Sequence, residues 1–214
     1  MGTSWQNMQM GALKYLSKCQ TFISSPGIGK STRGDEFIDP DLDILNEDEM
    51  RFKYKAQGYA DYNEYSIHRV RNTIRQKLIN NEDFAIELNL GYQHQYEYIL
   101  SAKKFRHDNK LHVILFFTDD IDLCLVRAKE RHERGRHLVK PEIIREMYAN
   151  TIPLLKDNFA YLDELILLDS NNETGLELVA YYDKSYNQFA VHRESATWFV
   201  NDLKPFIQNR IMGS

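Results

Sequence analysis

The sequence feature that most constrains the fold of this chain is a glycine-rich loop that ends in Lys30 and Ser31. Residues 24–32 read Ser-Ser-Pro-Gly-Ile-Gly-Lys-Ser-Thr and follow an apolar run, as in the phosphate-binding pattern G-x-x-x-x-G-K-[ST], although Ser24 replaces the first glycine. Such a loop turns backbone N–H groups towards phosphate, and its hydroxyl reaches Mg²⁺. We interpret it as a nucleoside triphosphate site. The alternative is a flexible Gly/Pro/Ser loop with an incidental lysine.

The loop supplies nucleotide ligands at consecutive positions. The residues predicted to bind the nucleotide are Pro26, Gly27, Ile28, Gly29, Lys30, Ser31 and Thr32, and Ser31 is also the predicted Mg²⁺ ligand. A phosphate loop normally opens a helix whose N-terminus faces the phosphates. Here Gly34 and Pro40 leave little room for a long helix after the loop.

Composition favours one α/β domain. The chain has 214 residues, of which 43% are hydrophobic, and this is enough for one sizeable core. We expect a single domain over residues 1–214, with its core at about 20–170 and a C-terminal hairpin and helix at about 176–211.

Charge and cysteine content restrict partners and location. The net charge of −4 argues against a general nucleic-acid-binding surface, whereas a small acidic substrate needs only a local basic pocket. Cys19 and Cys124 lack metal-ligand spacing and fit a reducing cytoplasm. No apolar stretch approaches the length of a membrane span, so we expect a cytoplasmic protein without a membrane partner.

Hydrophobic periodicity predicts alternating helices and strands. Helices are predicted at 4–18, 62–80, 96–106, 121–134, 141–159 and 197–211, strands at 20–24, 84–88, 111–117 and 165–168, and a hairpin at 178–183 and 188–192. Strand–helix–strand alternation implies parallel strands with right-handed crossovers. The predicted fold is therefore a three-layer α/β domain of the P-loop kinase type, with a mainly parallel sheet and a C-terminal β-hairpin plus helix.

Three arginines form a cationic stripe on a predicted helix. Arg127, Arg131 and Arg134 are spaced i, i+4 and i+7, which places them on one helix face. Arginines serve phosphoryl transfer because they neutralise charge on the transferring group and match its oxygens bidentately. The alternative is a solvated face balanced by Glu130 and Glu133.

The positions that follow this helix add more donors. Arg136 and His137 lie in a predicted loop and bring a guanidinium group and ring N–H groups, and Arg145 follows on the next helix. We expect these side chains to lie near phosphate.

Two groups of carboxylates are candidates for catalysis. Asp39 and Asp41 flank Pro40 just beyond a predicted short strand, and Asp41 is the candidate base. Asp-Pro-Asp is also a common turn element, which is the alternative interpretation. Glu87 stands inside an apolar run, so its burial requires a partner or a task, and with Asn89 it could hold a polar substrate. A structural ion pair with one of the arginines is the competing explanation.

Taken together, these segments resemble the zeta-toxin family of P-loop small-molecule kinases, over about residues 22–192. The matching stretches are the loop at 24–32, Phe-Ile-Asp-Pro-Asp at 37–41, Phe-Ala-Ile-Glu-Leu-Asn-Leu-Gly at 84–91 and the strand at 113–117. The family's Arg-x-x-x-Arg-x-x-x-Gly-Gly-His, Val-Pro-Glu and Ile-Arg-x-x-Tyr segments match Arg127, Arg131, Gly135, Arg136, His137, Val139, Pro141, Glu142, Ile144, Arg145 and Tyr148.

The resemblance implies an ATP- and Mg²⁺-dependent kinase acting on a hydroxyl of a nucleotide sugar such as UDP-N-acetylglucosamine. Lys30 and the loop amides would hold ATP, Ser31 would bind Mg²⁺, and Asp41 would be the base. The substrate would be bound by Glu87, Asn89, Arg136 and His137, and the transferring phosphate by Arg127, Arg131 and Arg145. Such toxins act in the bacterial cytoplasm and are held inactive by an antitoxin that occupies the nucleotide site.

Two alternatives to this function stay open. The short connection between Thr32 and Glu36, where the family has a full helix, is compatible with a degenerate relative that binds a nucleotide or a protein partner without catalysis. A P-loop kinase with another acceptor, such as a polynucleotide end or an antibiotic hydroxyl, is the third hypothesis.

Overall fold

A computed structural model describes residues 20–24, 37–134, 139–172 and 175–213 of the chain. Its strands are β1 (Gln20–Ser24), β2 (Ile44–Asn46), β3 (Ala85–Leu88), β4 (His112–Phe117), β5 (Glu164–Asn172), β6 (Gly175–Asp183) and β7 (Gln188–Val191). Its α-helices are α1 (Glu47–Ala56), α2 (Tyr62–Asn80), α3 (Gln93–Phe105), α4 (Ile121–Glu133), α5 (Pro141–Asn158) and α6 (Lys204–Met212). A π-helical stretch, Phe199–Leu203, leads into α6.

These strands form one sheet in the order β2-β3-β1-β4-β5-β6-β7. The first five in this order are parallel, and β5, β6 and β7 form an antiparallel meander. Because parallel strands end at the same side, β1 to β5 share one edge, which we call the carboxyl edge. In the register of the sheet, Phe22 of β1 lies opposite Glu87 of β3, and Ser24 lies opposite Phe116 of β4.

Helices cover both faces of the sheet. Alternate residues of β4 face opposite sides of the sheet and contribute to two separate cores. Val113, Leu115 and Phe117 contribute to the larger core, with side chains of α2, α3, α5 and the C-terminal helix. Ile114 and Phe116 contribute to the smaller core, with α4, the start of α5 and the segment 37–42. The predicted three-layer fold with a mainly parallel sheet and a C-terminal hairpin plus helix is confirmed.

Most predicted elements are present in the structure, with small changes at their ends. The helix predicted at 62–80 is α2, and it ends at Asn81, whose φ of 59° is the left-handed conformation of a helix C-cap. The predicted hairpin is formed by β6 and β7, with Asp183 paired to Gln188. The helix predicted at 4–18 lies outside the described residues.

One part of the sequence prediction is wrong, namely the strand expected just before Asp39. Phe37 and Ile38 form no strand but pack irregularly against the smaller core, where Ile38 is buried and Phe37 meets the Phe116 ring edge-on at 5.9 Å. The strand that pairs with β3 is β2, further along the chain. Phe37 and Ile38 are apolar because they pack on the face of the sheet, and they do not pair with any strand in it.

Helix α1 was not predicted either, and its packing explains why. None of its residues is fully buried, and its contact with the larger core is made through the half-buried Met50. The helix is also stabilised locally, by the Asn46 cap, acidic residues in the first turn and lysines in the last turn. In the part of the chain that the structure describes, no helix is long and apolar enough to cross a membrane.

Candidate active site at the carboxyl edge

The predicted phosphate loop leaves the sheet at the carboxyl edge, from the end of β1 between β3 and β4. On one side of β1 the sheet continues with β3, and on the other side with β4, so the order of the strands reverses here. Such topological switch points are where α/β sheets bind ligands. The loop residues Pro26, Gly27, Ile28, Gly29, Lys30, Ser31 and Thr32 lie outside the described residues, as do Arg136 and His137.

Glu87 is oriented by Asn46 at this edge. The two residues are register partners on β3 and β2, and the Asn46 amide donates a hydrogen bond of 2.9 Å from Nδ2 to Oε2 of Glu87. The same Asn46 side chain accepts the Glu49 backbone N–H through Oδ1 at 3.2 Å and so caps α1. Asn46 is 9% exposed, and Glu87 is half-buried. One side chain thus links the start of α1 to the candidate substrate-binding carboxylate.

The first turn of α1 adds a charged network that sequence reasoning missed. Glu47 accepts hydrogen bonds from Arg51 Nη2 at 2.6 Å and from the Tyr98 hydroxyl at 3.0 Å. Arg51 also binds Asp48, at 2.8 Å. Burial raises the pKa of Tyr98, and the Glu47 charge adds to this effect. The Asn cap followed by Glu47 and Arg51 at i, i+4 is the sequence signal that could have found this network.

Carboxylates at the ends of β4 and β5 are used for structure. Asp119 accepts backbone N–H groups of Thr197 at 2.7 Å and Trp198 at 2.8 Å, and it holds the start of the C-terminal helix. Asp169 accepts the Trp198 indole N–H at 3.2 Å. Burial raises the pKa of Asp169, and the nearby Asp119 charge raises it further. The side of the edge formed by β2, β3 and β1 therefore remains for a ligand.

The predicted phosphate-binding arginines lie on α4 and α5. Arg127 is half-buried, and Arg131, Arg134 and Arg145 are exposed. Among the described residues, no ion pair joins any of these four to a carboxylate. Glu133, which the alternative interpretation expects to balance these arginines, has its Oε1 4.0 Å from Nζ of Lys129 instead.

Helix α5 places Arg145 beyond the carboxyl edge. The Tyr148 hydroxyl donates to the backbone carbonyl of Thr118, directly after β4, at 2.8 Å. The helix then runs towards the amino end of the sheet, where β5 begins at Glu164 opposite His112. Arg145, three residues earlier than Tyr148, is displaced outward by about 4.5 Å along the helix axis. Arg145 is thus an exposed residue near the end of α5 that is closer to the carboxyl edge.

Asp39 and Asp41 lie in a turn between the segment that packs on the sheet and the start of β2. Both are exposed, and the Asp41 N–H donates to Oδ1 of Asp39 at 3.0 Å. The strand expected before Asp39 is absent, since the strand of this region, β2, follows Asp41 in the chain. The role of Asp41 as base stays a prediction.

Within the described ranges, no three His, Cys, Asp or Glu side chains converge to hold a metal ion. Cys124 is buried in the smaller core, where burial raises the pKa of its thiol to about 11, so it is a packing residue. Asn89, the second predicted substrate residue, is half-buried and follows the end of β3.

Comparison with known proteins identifies relatives by structure alone. No family model matches the sequence, and no curated protein matches it. Among solved structures, a chain of the AvrRxo1-ORF1:AvrRxo1-ORF2 complex with sulphate ions gives a TM-score of 0.65 at 12% identity, covering 92% of this chain and 66% of that chain. A chain of the same complex with ATP gives 0.63 at 10% identity, covering 87% and 64%.

A chain of the PezAT chromosomal toxin–antitoxin system of Streptococcus pneumoniae gives a TM-score of 0.62 at 11% identity, covering 98% of this chain and 96% of that chain. The present chain spans about two thirds of the AvrRxo1 chains that it matches. At these identities the similarity concerns the fold alone, and the predicted α/β fold is the one that this chain shares with these structures.

Proposed function

We propose that this protein is a P-loop kinase that transfers the γ-phosphate of ATP to a hydroxyl of a small metabolite. The observation that carries the proposal is that the Gly-Lys-Ser sequence follows the central strand β1 in the chain, while the neighbouring strands β3 and β2 bring Glu87 and Asn46 together. A nucleotide sugar of the UDP-N-acetylglucosamine type is the acceptor that the sequence resemblance favours.

The proposed roles divide the site into a phosphate side and an acceptor side. Bound ATP supplies the phosphoryl group. Its phosphates would be held by the loop amides and Lys30, with Mg²⁺ on Ser31. Arg127, Arg131, Arg145, Arg136 and His137 supply positive charge and donors beside the transferring group and the acceptor.

We assign the proton-accepting carboxylate to Glu87 rather than Asp41. Glu87 belongs to the strand next to β1, its orientation is set by the Asn46 amide, and Asn89 follows it on the acceptor side. Glu47 and Asp48 follow β2 directly, and each accepts a hydrogen bond from the Arg51 guanidinium group. Asp41 precedes β2 and forms part of an exposed turn. General-base catalysis requires hydrogen-bond reach to the acceptor hydroxyl.

The proposal includes a toxin role with an antitoxin partner. Its support is the similarity in fold to a chain of the PezAT toxin–antitoxin system and to a chain of the AvrRxo1-ORF1:AvrRxo1-ORF2 complex. We expect expression of the chain to arrest bacterial growth and the Lys30→Ala variant to relieve that arrest. Arrest that persists in Lys30→Ala would separate toxicity from nucleotide binding.

A second candidate, a nucleotide- or protein-binding module without catalysis, is favoured by one observation. Only 12 residues, 25–36, separate the end of β1 from the segment that begins at Phe37 and packs on the sheet through Ile38. This is short for both a phosphate loop and a full helix. The two candidates differ in whether bound ATP is consumed.

Calorimetric titration with a non-hydrolysable ATP analogue and Mg²⁺ tests the proposal, with Lys30→Ala as the matched variant. We expect binding in the wild type that Lys30→Ala loses, followed by transfer to sugar nucleotides in an activity screen that includes oligonucleotides. Binding without transfer to any acceptor supports the non-catalytic module, and absence of binding in the wild type overturns the kinase.

The assignment of the base has its own test. Glu87→Gln keeps the size of the side chain and should lower turnover by about 10²–10⁴-fold, the usual contribution of a general base. Asp41→Asn should retain turnover. The opposite pattern would return the role of base to Asp41.

A further inference from the structure

Gly91 brings the loop after β3 into direct contact with the backbone of α5. A Cβ atom built on Gly91 would lie 2.4 Å from Cβ and 2.5 Å from Cα of Met147. Ordinary contacts of a Cβ atom begin near 3.4 Å, and the backbone of a helix cannot turn aside as a flexible side chain can. Gly91 does not have a positive φ, so the residue is required here for close approach rather than for backbone conformation.

Hydrogen bonds on both sides of this contact join the same two elements. Asn150 of α5 donates through Nδ2 to the carbonyl of Gly91 at 3.3 Å. The Tyr92 hydroxyl donates to Oε2 of Glu146 at 3.0 Å. Glu146 precedes Met147 on α5 and Asn150 follows it, so hydrogen bonds on both sides of the contact fix the loop to α5.

The contact lies between the two sides of the proposed site. The loop begins after Leu88, the residue that follows Glu87, and contains Asn89, whose carbonyl accepts the Gly91 N–H at 2.7 Å. Helix α5 carries Arg145 two residues before Met147. Two residues rotate about 200° around a helix axis, so Arg145 points away from the loop and is positioned by the helix as a body. A shift of the helix relative to the loop would therefore change the spacing between the acceptor and phosphate sides.

We propose that Gly91 is a positioning residue that sets this spacing, an inference that rests on the proposed kinase function. The missing side chain lets α5 approach the acceptor loop, and the Asn150 and Tyr92 hydrogen bonds hold it there. Gly91 contacts no reacting group in this scheme. Its effect on transfer passes through Arg145 on one element and through Glu87 and Asn89 on the other.

The test is Gly91→Ala, compared with Gly213→Ala near the end of the chain, where the new Cβ would lie 3.2 Å from the Asn209 carbonyl oxygen. Relief of a 2.4 Å contact requires a displacement of about 1 Å, and a misplacement of that size costs about 10²-fold in rate. We expect kcat to fall by about 10- to 100-fold in Gly91→Ala while the affinity for the ATP analogue is unchanged. Gly213→Ala should behave as the wild type.

Equal loss of kcat and of ATP affinity in Gly91→Ala would indicate general damage and would overturn the positioning role. An unchanged kcat would also overturn it, because the contact would then have no effect on transfer. If Gly91→Ala does not fold, the combined Tyr92→Phe and Asn150→Ala variant replaces it, and we expect a smaller fall in kcat with the same unchanged ATP affinity.

Failure of the proposed function is recognised separately, because the wild type would then transfer phosphate to no acceptor. In that case amide hydrogen exchange tests the contact itself in Gly91→Ala. Faster exchange in residues 88–92 and 141–150 together, with the rest of the sheet unaffected, supports coupling through Gly91. Unchanged exchange in 141–150 overturns it.

Discussion

Asn46 combines two tasks that point mutations can separate. Its Oδ1 caps α1 by accepting the Glu49 N–H, and its Nδ2 donates to Glu87. Asn46→Asp keeps the cap, since aspartate is as good an N-cap as asparagine and suits the positive end of the helix dipole. The cap alone therefore predicts that Asn46→Asp is neutral or stabilising. The contact with Glu87 predicts the opposite.

The magnitude follows from the 2.9 Å contact. Loss of a hydrogen bond to a charged group costs about 1.5–3 kcal/mol, and the partial exposure of Glu87 places the cost near the lower end. Two carboxylates about 4 Å apart repel by about 1 kcal/mol in water and about 4 kcal/mol at an effective dielectric constant of 20. We expect Asn46→Asp to be less stable than Asn46→Ser by about 2 kcal/mol at pH 7, because serine keeps a capping oxygen and adds no charge.

Urea unfolding followed by circular dichroism at pH 7 and near pH 4 measures both effects. Repulsion disfavours the charged form of the introduced carboxylate in the folded state, so the penalty is present at pH 7. It disappears as the pH falls below about 4, where both states bind the proton. Equal stability of Asn46→Asp and Asn46→Ser at pH 7, or a difference that does not change with pH, would refute this reasoning.

Two further predictions concern buried carboxylates. Burial would raise the pKa of Asp163, but Lys103 at 2.6 Å and the Leu111 N–H at 2.8 Å outweigh it and hold that pKa below its usual value. Asp163→Asn should cost about 3 kcal/mol in urea unfolding at pH 7, and the cost should vanish as the pH falls through the lowered pKa. Burial is the main cause that raises the pKa of Asp169, so its charged form destabilises the folded state at pH 7. Asp169→Asn still accepts the Trp198 N–H and should therefore increase the melting temperature at pH 7. The increase should be absent below the usual carboxyl pKa, where Asp169 is protonated in both states.

Strong local periodicity made much of the fold predictable. All six residues of β4 are buried, and such a continuous apolar run between turn signals indicates a central parallel strand. Helix α2 shows its apolar stripe through Val70 and Ile74, which are buried, and its end through Asn81. In these elements the local preference and the tertiary environment agree.

The elements near the candidate site were harder to predict. Strand β2 has only three residues, and no residue of α1 is fully buried, so both give weak periodic signals. The sequence predicts a strand at Phe37 and Ile38 instead. In the structure the strand that pairs with β3 is β2, which ends at Asn46.

Short sequence patterns predicted the layers of this protein and indicated a phosphate-binding chemistry for it. The Gly-Lys-Ser loop, the arginines of α4 and α5, and the apolar runs are local patterns, and local patterns carry their meaning in neighbouring residues. Only the tertiary structure decided which polar groups meet. Asn46 and Glu87 are 41 positions apart, and Gly91 and Met147 touch across 56 positions (147 − 91). Strand order, register and helix packing create these contacts, and none of the three is encoded in any single segment.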